Sequence, residues 1–379
     1  MNNKDGMKQD VIVIGGGIIG LATAERLLAQ GAKVTILERN KIGQESSWAG
    51  GGILSPLCPW DYSDDVTRLT NYSLMLFPTW VTALYEATKI DPEFETCGML
   101  LLPTFDKQVA QQWCATHNVR IEEKMIMLPF SPAYELAKDN HQKTTNALFL
   151  PDIAQVRNPR LLHALKNKVL ALGGKIIEYC TVHEIKTAKR KVQAVLTSSG
   201  MVHAAQYIVA AGAWSQEILG RHALNLNIRP SRGQMLLFKF AAPPLRNILL
   251  QKNLYLIPRR DGHLLVGSTL EDVGFIKNTT TTARNELFQR AQKLLPILNN
   301  VPIKKQWAGL RPASPHNIPT IGRHPQLNNL FINSGHFRYG VTMAPASAEI
   351  LFNEIIGAPQ PFDTTAYQMD LDTSGKPSS

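Results

Sequence analysis

The sequence contains few cysteines, and their arrangement suits neither a disulfide framework nor a zinc site. Four cysteines occur in 379 residues, none as a Cys-x-x-Cys pair and none with histidines clustered nearby. Such sparse use of cysteine is typical of proteins in a reducing compartment. We therefore expect a cytoplasmic protein that has no metal site.

A long apolar run is also missing. Residues 1–10 are polar, and the most apolar N-terminal run, Val11 to Leu28, contains four glycines together with Glu25 and Arg26. The first segment lacks the apolar core of a signal peptide, and the second is a poor membrane span. We expect no association with a membrane.

Clusters of basic residues interleaved with aromatics, which are typical of nucleic-acid binders, are absent. The chain has 40 Lys and Arg against 30 Asp and Glu, a net charge of +10, but these residues are scattered. We expect no nucleic-acid partner, and the excess positive charge suits a small anionic substrate. With 44% hydrophobic residues, the composition excludes a disordered chain, and the length suits two domains.

The first fifty residues predict a β-α-β unit that binds a dinucleotide. Val11 to Ile14 is an apolar strand, Gly15 to Gly20 matches Gly-x-Gly-x-x-Gly and opens a helix, and a second strand ends at Glu38. Gly15 permits the tight turn, Gly17 a close approach of the pyrophosphate, and Gly20 close packing of helix and strand.

The chemistry of this unit assigns a role to each ligand contact. The free amides near Ile18 and Ile19, at the positive end of the helix, should bind phosphates. Glu38 should accept hydrogen bonds from the ribose hydroxyls and disfavour a 2′-phosphate. The motif alone leaves FAD and NAD open.

The loop that follows favours a flavin. Ser46 and Ser47 can bond phosphate or ribityl oxygens, and Gly50 to Gly52 would let a flat ring lie against the main chain. A long glycine-rich loop at this place in an α/β fold is more often a ligand contact than idle surface. A plain flexible loop is the alternative.

With these motifs in hand, the chain resembles the D-amino acid oxidase-like (DAO) family of FAD-dependent oxidoreductases over roughly residues 10–357. Within that family it is most similar to the bacterial glycine oxidases of the thiamine-biosynthetic type. The motifs that carry the resemblance occur in this order: Val11 to Gly20 with Glu38, Ser46 to Leu54, Ala210 to Ser215, Gly309 to Pro312, and Gly335 to Gly340.

The resemblance implies an α/β fold with a Rossmann-like FAD-binding domain of the GR2/DAO type and a discontinuous substrate domain built on an antiparallel sheet. The sequence pattern agrees, because α/β character appears at the start and returns near 150 and after 305. We expect the FAD-binding domain at 8–90, 151–225 and 305–360, the substrate domain at 91–150 and 226–304, and a disordered tail at 361–379.

The resemblance also implies the site residues. It places the substrate on Arg311, Tyr255 and Arg338, and it assigns no side chain as a catalytic base; His263, His316 and His336 are isolated in the sequence. The expected FAD contacts are Gly15, Gly17, Ile18, Ile19, Gly20, Glu38, Arg39, Ser46, Ser47, Gly51, Gly52, Ile53, Val182, Gly212, His336, Phe337, Arg338, Tyr339, Gly340, Val341 and Thr342.

The implied activity is oxidation of glycine, by noncovalent FAD and dioxygen, to a 2-oxo acid, ammonia and hydrogen peroxide, supplying thiazole synthesis for thiamine. Tyr339 and Leu270 depart from the residues common in the pocket of such enzymes, so oxidation of sarcosine or small D-amino acids stays open. Flavin-dependent demodification of a tRNA base and a non-catalytic flavoprotein are further alternatives. The family often forms homo-oligomers.

Overall fold

The computed structural model describes residues 10–130 and 143–369, which form a mixed α/β fold. Its strands are β1 Asp10–Ile14, β2 Lys33–Leu37, β3 Ile53–Leu54, β4 Glu95–Thr96, β5 Met99–Leu101, β6 Glu122–Leu128, β7 Lys143–Leu150, β8 Ala154–Gln155, β9 Lys175–Ile177, β10 Val182–Ala188, β11 Lys191–Thr197, β12 Gly200–Val202, β13 Gln206–Val209, β14 Arg229–Lys239, β15 Ile248–Gln251, β16 Leu254–Pro258, β17 His263–Gly267, β18 Lys305–Ala313, β19 Thr320–Arg323 and β20 Leu330–Ser334.

Eight α-helices are present in the same residues, and short 3-10 turns connect several elements. The helices are α1 Ile18–Ala29, α2 Ser46–Ala49, α3 Asp64–Thr88, α4 Lys107–Thr116, α5 Asn158–Ala171, α6 Ser215–Leu219, α7 Thr281–Leu294 and α8 Gly340–Ile356. Helix α3 runs through Pro78 without ending there.

One sheet is built from three separate stretches of the chain, as the sequence predicted. Its strand order is β19-β20-β13-β1-β2-β9, with every neighbouring pair parallel except β19 and β20. The central strand β1 is buried on both faces from Val11 onward, which explains its unbroken apolar run. Helices α1, α3 and α8 pack together on one face of the fold. The carboxyl ends of the parallel strands therefore meet at one edge, where α/β sheets hold their ligands.

A second sheet supplies the opposite wall. Its order is β18-β14-β17-β16-β15-β5-β7-β6, antiparallel except where β15 meets β5. Strand β18 belongs to this sheet by its long pairing with β14, although the sequence assigned residues from 305 onward to the nucleotide-binding part. The reason is that its partner β14 lies far away in the chain, with three strands and helix α7 between them, so the sequence of β18 does not reveal the pairing. We propose that the two sheets mark the two domains.

The end of the described chain is packed, so the expectation of a disordered tail is wrong for residues 361–369. Phe362 packs edge-on against Tyr72 at 5.4 Å, and the buried Tyr367 donates a hydrogen bond to the Asp65 carbonyl at 2.6 Å. Two aromatic residues that pack from a short polar stretch are hard to identify in a sequence read only for periodicity. Residues 370–379 lie outside the described residues.

Candidate active site

A cavity of about 440 Å³ lies between the two sheets, a volume in the range of small-molecule sites. It is lined by the ends of β1 and β2 on one side, and by β14, β16 and β18 on the other. All of the site residues expected from the sequence line this cavity except Gly20 and Thr342. The sequence motifs are therefore brought together in space.

The glycine motif forms a tight turn between β1 and α1. Gly15 has a φ of +109°, and a Cβ there would lie 2.5 Å from the Ala210 carbonyl oxygen. A Cβ on Gly20 would overlap the Gly15 carbonyl, so Gly20 acts in packing the helix on the strand and not in lining the cavity. The first residues of α1, Ile18 and Ile19, consequently line the cavity directly after the glycine turn.

Glu38 is placed as the sequence predicted, at the end of β2 beside the glycine turn. Its carboxylate is buried and accepts hydrogen bonds from the Gly16 amide at 2.8 Å and the Asn40 amide at 3.0 Å. A carboxylate has about four acceptor positions, so capacity is left for the hydroxyls of a ribose. These two amides fix the orientation of the carboxylate.

Ser47 closes the start of α1 from the opposite side. Its hydroxyl accepts a hydrogen bond from the Ile18 amide at 2.9 Å, and Asn158 holds the Ser47 carbonyl at 2.8 Å. A helix N-terminus with a hydroxyl beside it is a favourable place for phosphate oxygens. Asn158 was not singled out in the sequence, because it starts a helix in a distant segment.

Arg39 and Trp214 form the outer wall of this end of the cavity. The Arg39 guanidinium lies 3.5 Å from the centre of the Trp214 ring and is paired with Glu45 at 2.9 Å. Val182 and Gly212 line the cavity next to them. Trp214 stands in the Ala210 to Ser215 motif, yet its role as a wall appears only once β13 and β2 are placed on the two sides of β1.

The Gly335 to Gly340 segment leads into α8 and lines the other end. His336 is buried and its Nε2 lies 2.9 Å from the Ser347 hydroxyl, and burial lowers its pKa to about 3. His336 is therefore neutral at ordinary pH and is not available as a base. Gly340 and Val341 line the cavity at the positive end of α8, whereas Thr342 points to the Ile53 carbonyl at 3.2 Å.

Arg311 is the central cation of the substrate end. Its Nη1 donates to the Thr269 carbonyl at 3.2 Å and its Nη2 to the Ser268 hydroxyl at 2.6 Å. The side chain lies across Gly233 on β14, where a Cβ would collide with the guanidinium. Desolvation lowers the pKa of Arg311, while the neighbouring Tyr255 raises it. The sequence analysis singled out Leu270 but did not identify the nearby Ser268 as a contact of Arg311.

No acid neutralises this cation. Within residues 10–130 and 143–369, no Asp or Glu forms an ion pair with Arg311 or with Arg338, which lines the same end. A desolvated guanidinium without a counter-ion strongly favours binding of an anion. The residues therefore provide a site for a small carboxylate.

Tyr339 limits the space beside Arg311 and Arg338. It is only 3% exposed, its hydroxyl is hydrogen-bonded to that of Tyr62, and the two rings meet edge-on at 5.1 Å. Burial raises the pKa of Tyr339 well above its ordinary value, so the pair stays neutral. Leu270, by contrast, is 49% exposed and does not line this cavity. The residue at this position therefore differs from the family pattern without lining the site.

The lining of the cavity suits a dinucleotide that has an adenosine at one end and a flat ring system at the other. A phosphate cradle and an acid stand at one end, and glycines and free amides continue along its length. Among the described residues, no group of three or more His, Cys, Asp or Glu side chains is arranged to hold a metal ion. Likewise, no helix in that part of the chain has the length and apolar composition needed to cross a membrane.

Comparisons with known proteins agree with this arrangement. Residues 10–353 match the family of FAD dependent oxidoreductases (DAO). The chain is 40% identical to a glycine oxidase of Pseudomonas putida over 95% of this chain and 98% of that protein. It is 33% identical to a bifunctional ThiO/ThiG protein of Trichormus variabilis, covering 92% of this chain and 53% of that protein. The crystal structure of a Bacillus cereus glycine oxidase superposes with a TM-score of 0.82 at 26% identity, over 92% and 95% of the two chains.

Proposed function

The chain belongs to the DAO family of FAD-dependent oxidoreductases, and on this premise we propose that it is an amino acid oxidase that deaminates glycine. Glycine, dioxygen and water give glyoxylate, ammonia and hydrogen peroxide. The identity of 40% to a glycine oxidase along almost the whole of both chains supports this assignment. The observation that carries it is the cation Arg311, which lines the cavity and forms no ion pair with any acid in the part of the chain that the structure describes.

Arg311 and Tyr255 hold the carboxylate of the amino acid. Two of the five N–H groups of Arg311 are bonded to Thr269 and Ser268, so the remaining ones are free to form two parallel bonds to a carboxylate. Because Thr269 and Ser268 orient the guanidinium, it determines where the α-carbon lies, and a defined position of the reacting atom favours a fast reaction.

When bound, FAD would supply the redox chemistry, by which two electrons pass from the substrate to dioxygen. The residues that would hold it are the first amides of α1, Glu38, Ser47 and the Gly51–Gly52 loop. The positive end of α8 favours negative charge in this part of the cavity. No protein base is required of this chain, and His336 is neutral and bonded to Ser347.

The wall formed by Tyr339 and Tyr62 supports a small substrate. It is buried and held by a hydroxyl–hydroxyl bond, so a bulky side chain on the α-carbon would have to displace packed aromatic rings. Glycine fits best, and sarcosine or D-alanine are the nearest competitors. Comparing peroxide formation from glycine, sarcosine, D-alanine and D-proline tests the assignment. A strong preference for a bulky D-amino acid would contradict it.

The name of the ThiO/ThiG relative and the resemblance stated above support a wider role: the oxidation product of glycine supplies thiazole synthesis for thiamine. We also propose that the enzyme works in the cytoplasm as a homo-oligomer without nucleic acid. Loss of the gene should cause a growth defect that thiamine relieves. Sizing chromatography and a tRNA-binding titration test the remaining two points.

A further inference from the structure

Most carbonyl groups of the loop from Ser47 to Ile53 are bonded to donors outside the loop. The carbonyls of Ser47 and of residues 49–53 each accept such a hydrogen bond, and side chains supply most of these donors. The bonds are Asn158 Nδ2 to Ser47 O at 2.8 Å and to Gly50 O at 3.1 Å, Trp307 Nε1 to Ala49 O at 3.0 Å, Arg259 Nη2 to Gly51 O at 2.7 Å, Val156 N to Gly52 O at 2.9 Å, and Thr342 Oγ1 to Ile53 O at 3.2 Å.

This pattern determines where the amides point. In a trans peptide the carbonyl and the following N–H lie in one plane and point in opposite directions. Because the Gly51 carbonyl faces Arg259, the Gly52 amide faces the other way. Gly52 lines the cavity, and its amide donates to no atom of the residues that the structure describes. The Gly52 amide is therefore a fixed donor available to a ligand.

Arg259 is an unusual residue to find behind this peptide. It is only 4% exposed, and its Nη1 also donates to Gln155 Oε1 at 2.8 Å and to the Val156 carbonyl at 2.9 Å. Burial lowers its pKa to about 10, so it is still charged at neutral pH. No carboxylate in the described part of the chain pairs with it. A buried cation without a counter-ion is unfavourable, so a structural role alone would be met more easily by an apolar residue.

We propose that Arg259 is a positioning residue for FAD: its planar guanidinium fixes the Gly51 carbonyl and thereby presents the Gly52 amide to the cofactor. The fork of an arginine can hold Gly51, Val156 and Gln155 at the same time, which a lysine cannot. Arg259 follows β16, so the substrate-side sheet sets the shape of a loop in the nucleotide-binding part.

The position of Gly51 restricts this effect to one end of the cofactor. A Cβ on Gly51 would lie 2.6 Å from Ile257 Cδ1 and 3.4 Å from Tyr255 Cε2, so Gly51 borders the substrate end of the cavity. Glu38 and the glycine turn stand at the other end. Loss of Arg259 should therefore weaken binding of FAD and leave binding of ADP, which has only the adenosine half, unchanged.

The test compares Arg259→Gln, Arg259→Lys and Arg260→Gln. Arg260 is the matched control, because it is the next residue but is exposed and bonded to the Phe94 carbonyl at 2.9 Å. Titration of each apoprotein with FAD, followed by flavin fluorescence, gives a dissociation constant, and a second titration uses ADP. Circular dichroism reports folding, and the visible spectrum at saturating FAD reports the environment of the ring.

We expect Arg259→Gln to raise the Kd for FAD roughly tenfold to a hundredfold with a shifted spectrum and an unchanged Kd for ADP, as lost charge-assisted hydrogen bonds imply. Arg259→Lys should be intermediate and Arg260→Gln normal. If Arg259→Gln does not fold, the FAD and ADP constants of Arg259→Lys decide. Equal losses for FAD and ADP, or no loss for FAD, would overturn the proposal. No amino acid is used, so this result is independent of the glycine assignment.

Discussion

Replacement of Arg311 by alanine is the substitution from which the account predicts the largest effect on the amino acid. Arg311 is oriented by Thr269 and Ser268, has no acidic partner among the described residues, and lines the cavity. Removal of its side chain leaves the fold's sheets intact, because β18 is held to β14 by main-chain bonds. The substrate carboxylate, by contrast, should lose the bidentate partner that we propose for it.

The size of the effect follows from the bonds that are lost. Hydrogen bonds to charged groups contribute about 1.5–3 kcal/mol each, so two parallel bonds amount to ~3–6 kcal/mol. Each ~1.4 kcal/mol is a factor of ten in rate, so kcat/KM for glycine should fall by roughly two to four orders of magnitude. Most of the loss should appear in KM, because Arg311 would bind the substrate carboxylate equally well in the ground state and in the transition state.

The assay is peroxide formation at varied glycine concentration, with the FAD content of each sample measured from its spectrum. Arg284→Ala, on the exposed side of α7, is a control for loss of one positive charge. An amine without a carboxylate should be oxidised equally poorly by the wild type and by Arg311→Ala. A kcat/KM for glycine close to that of the wild type would remove Arg311 from the substrate site.

Three further predictions address the cofactor end, the support of Arg311 and acid sensitivity. Glu38→Ala should weaken FAD binding by about 1.5–3 kcal/mol, and a mutant that keeps its flavin through dialysis as well as wild type would refute the ribose contact. Gly233→Ala should displace the Arg311 guanidinium and raise KM for glycine about tenfold, with kcat and FAD content little changed. His336 is neutral in the folded protein, where its pKa is about 3 against an ordinary 6.5. Its contribution to the free energy of unfolding is therefore complete above pH 6.5 and declines by ~1.4 kcal/mol per pH unit as the pH falls towards 3. Urea unfolding of His336→Asn at about pH 7 and about pH 4.5 should show a smaller acid loss than wild type, and equal losses would contradict the buried neutral state.

The elements that sequence reasoning identified best are those whose local pattern has a single physical explanation. The buried strand β1, the glycine turn and α1 follow from apolar periodicity and from the need for residues without a Cβ at Gly15 and Gly20. The sequence shows α/β character in three separate stretches, which predicted that these stretches form one sheet. The structure confirms this prediction.

The parts that sequence reasoning missed depend on long-range pairing. Strand β18 joins the antiparallel sheet through its partner β14, and no local pattern identifies that partner. Asn158 and Arg259 donate to main-chain carbonyls of distant segments, and the Ser268 hydroxyl accepts a bond from the distant Arg311 side chain. The sequence around each of the three therefore gives no sign of its role. The roles of the individual site residues stay predictions, which measurements of ligand binding by variants of each residue test.

The absorption spectrum of the purified protein, recorded under nitrogen before and after addition of glycine, tests the central claim most directly. The account predicts a yellow protein whose flavin bands bleach with glycine and return in air, with one equivalent of hydrogen peroxide formed for each glycine consumed. A colourless protein that cannot be loaded with FAD, or a yellow one that glycine does not bleach, would contradict it.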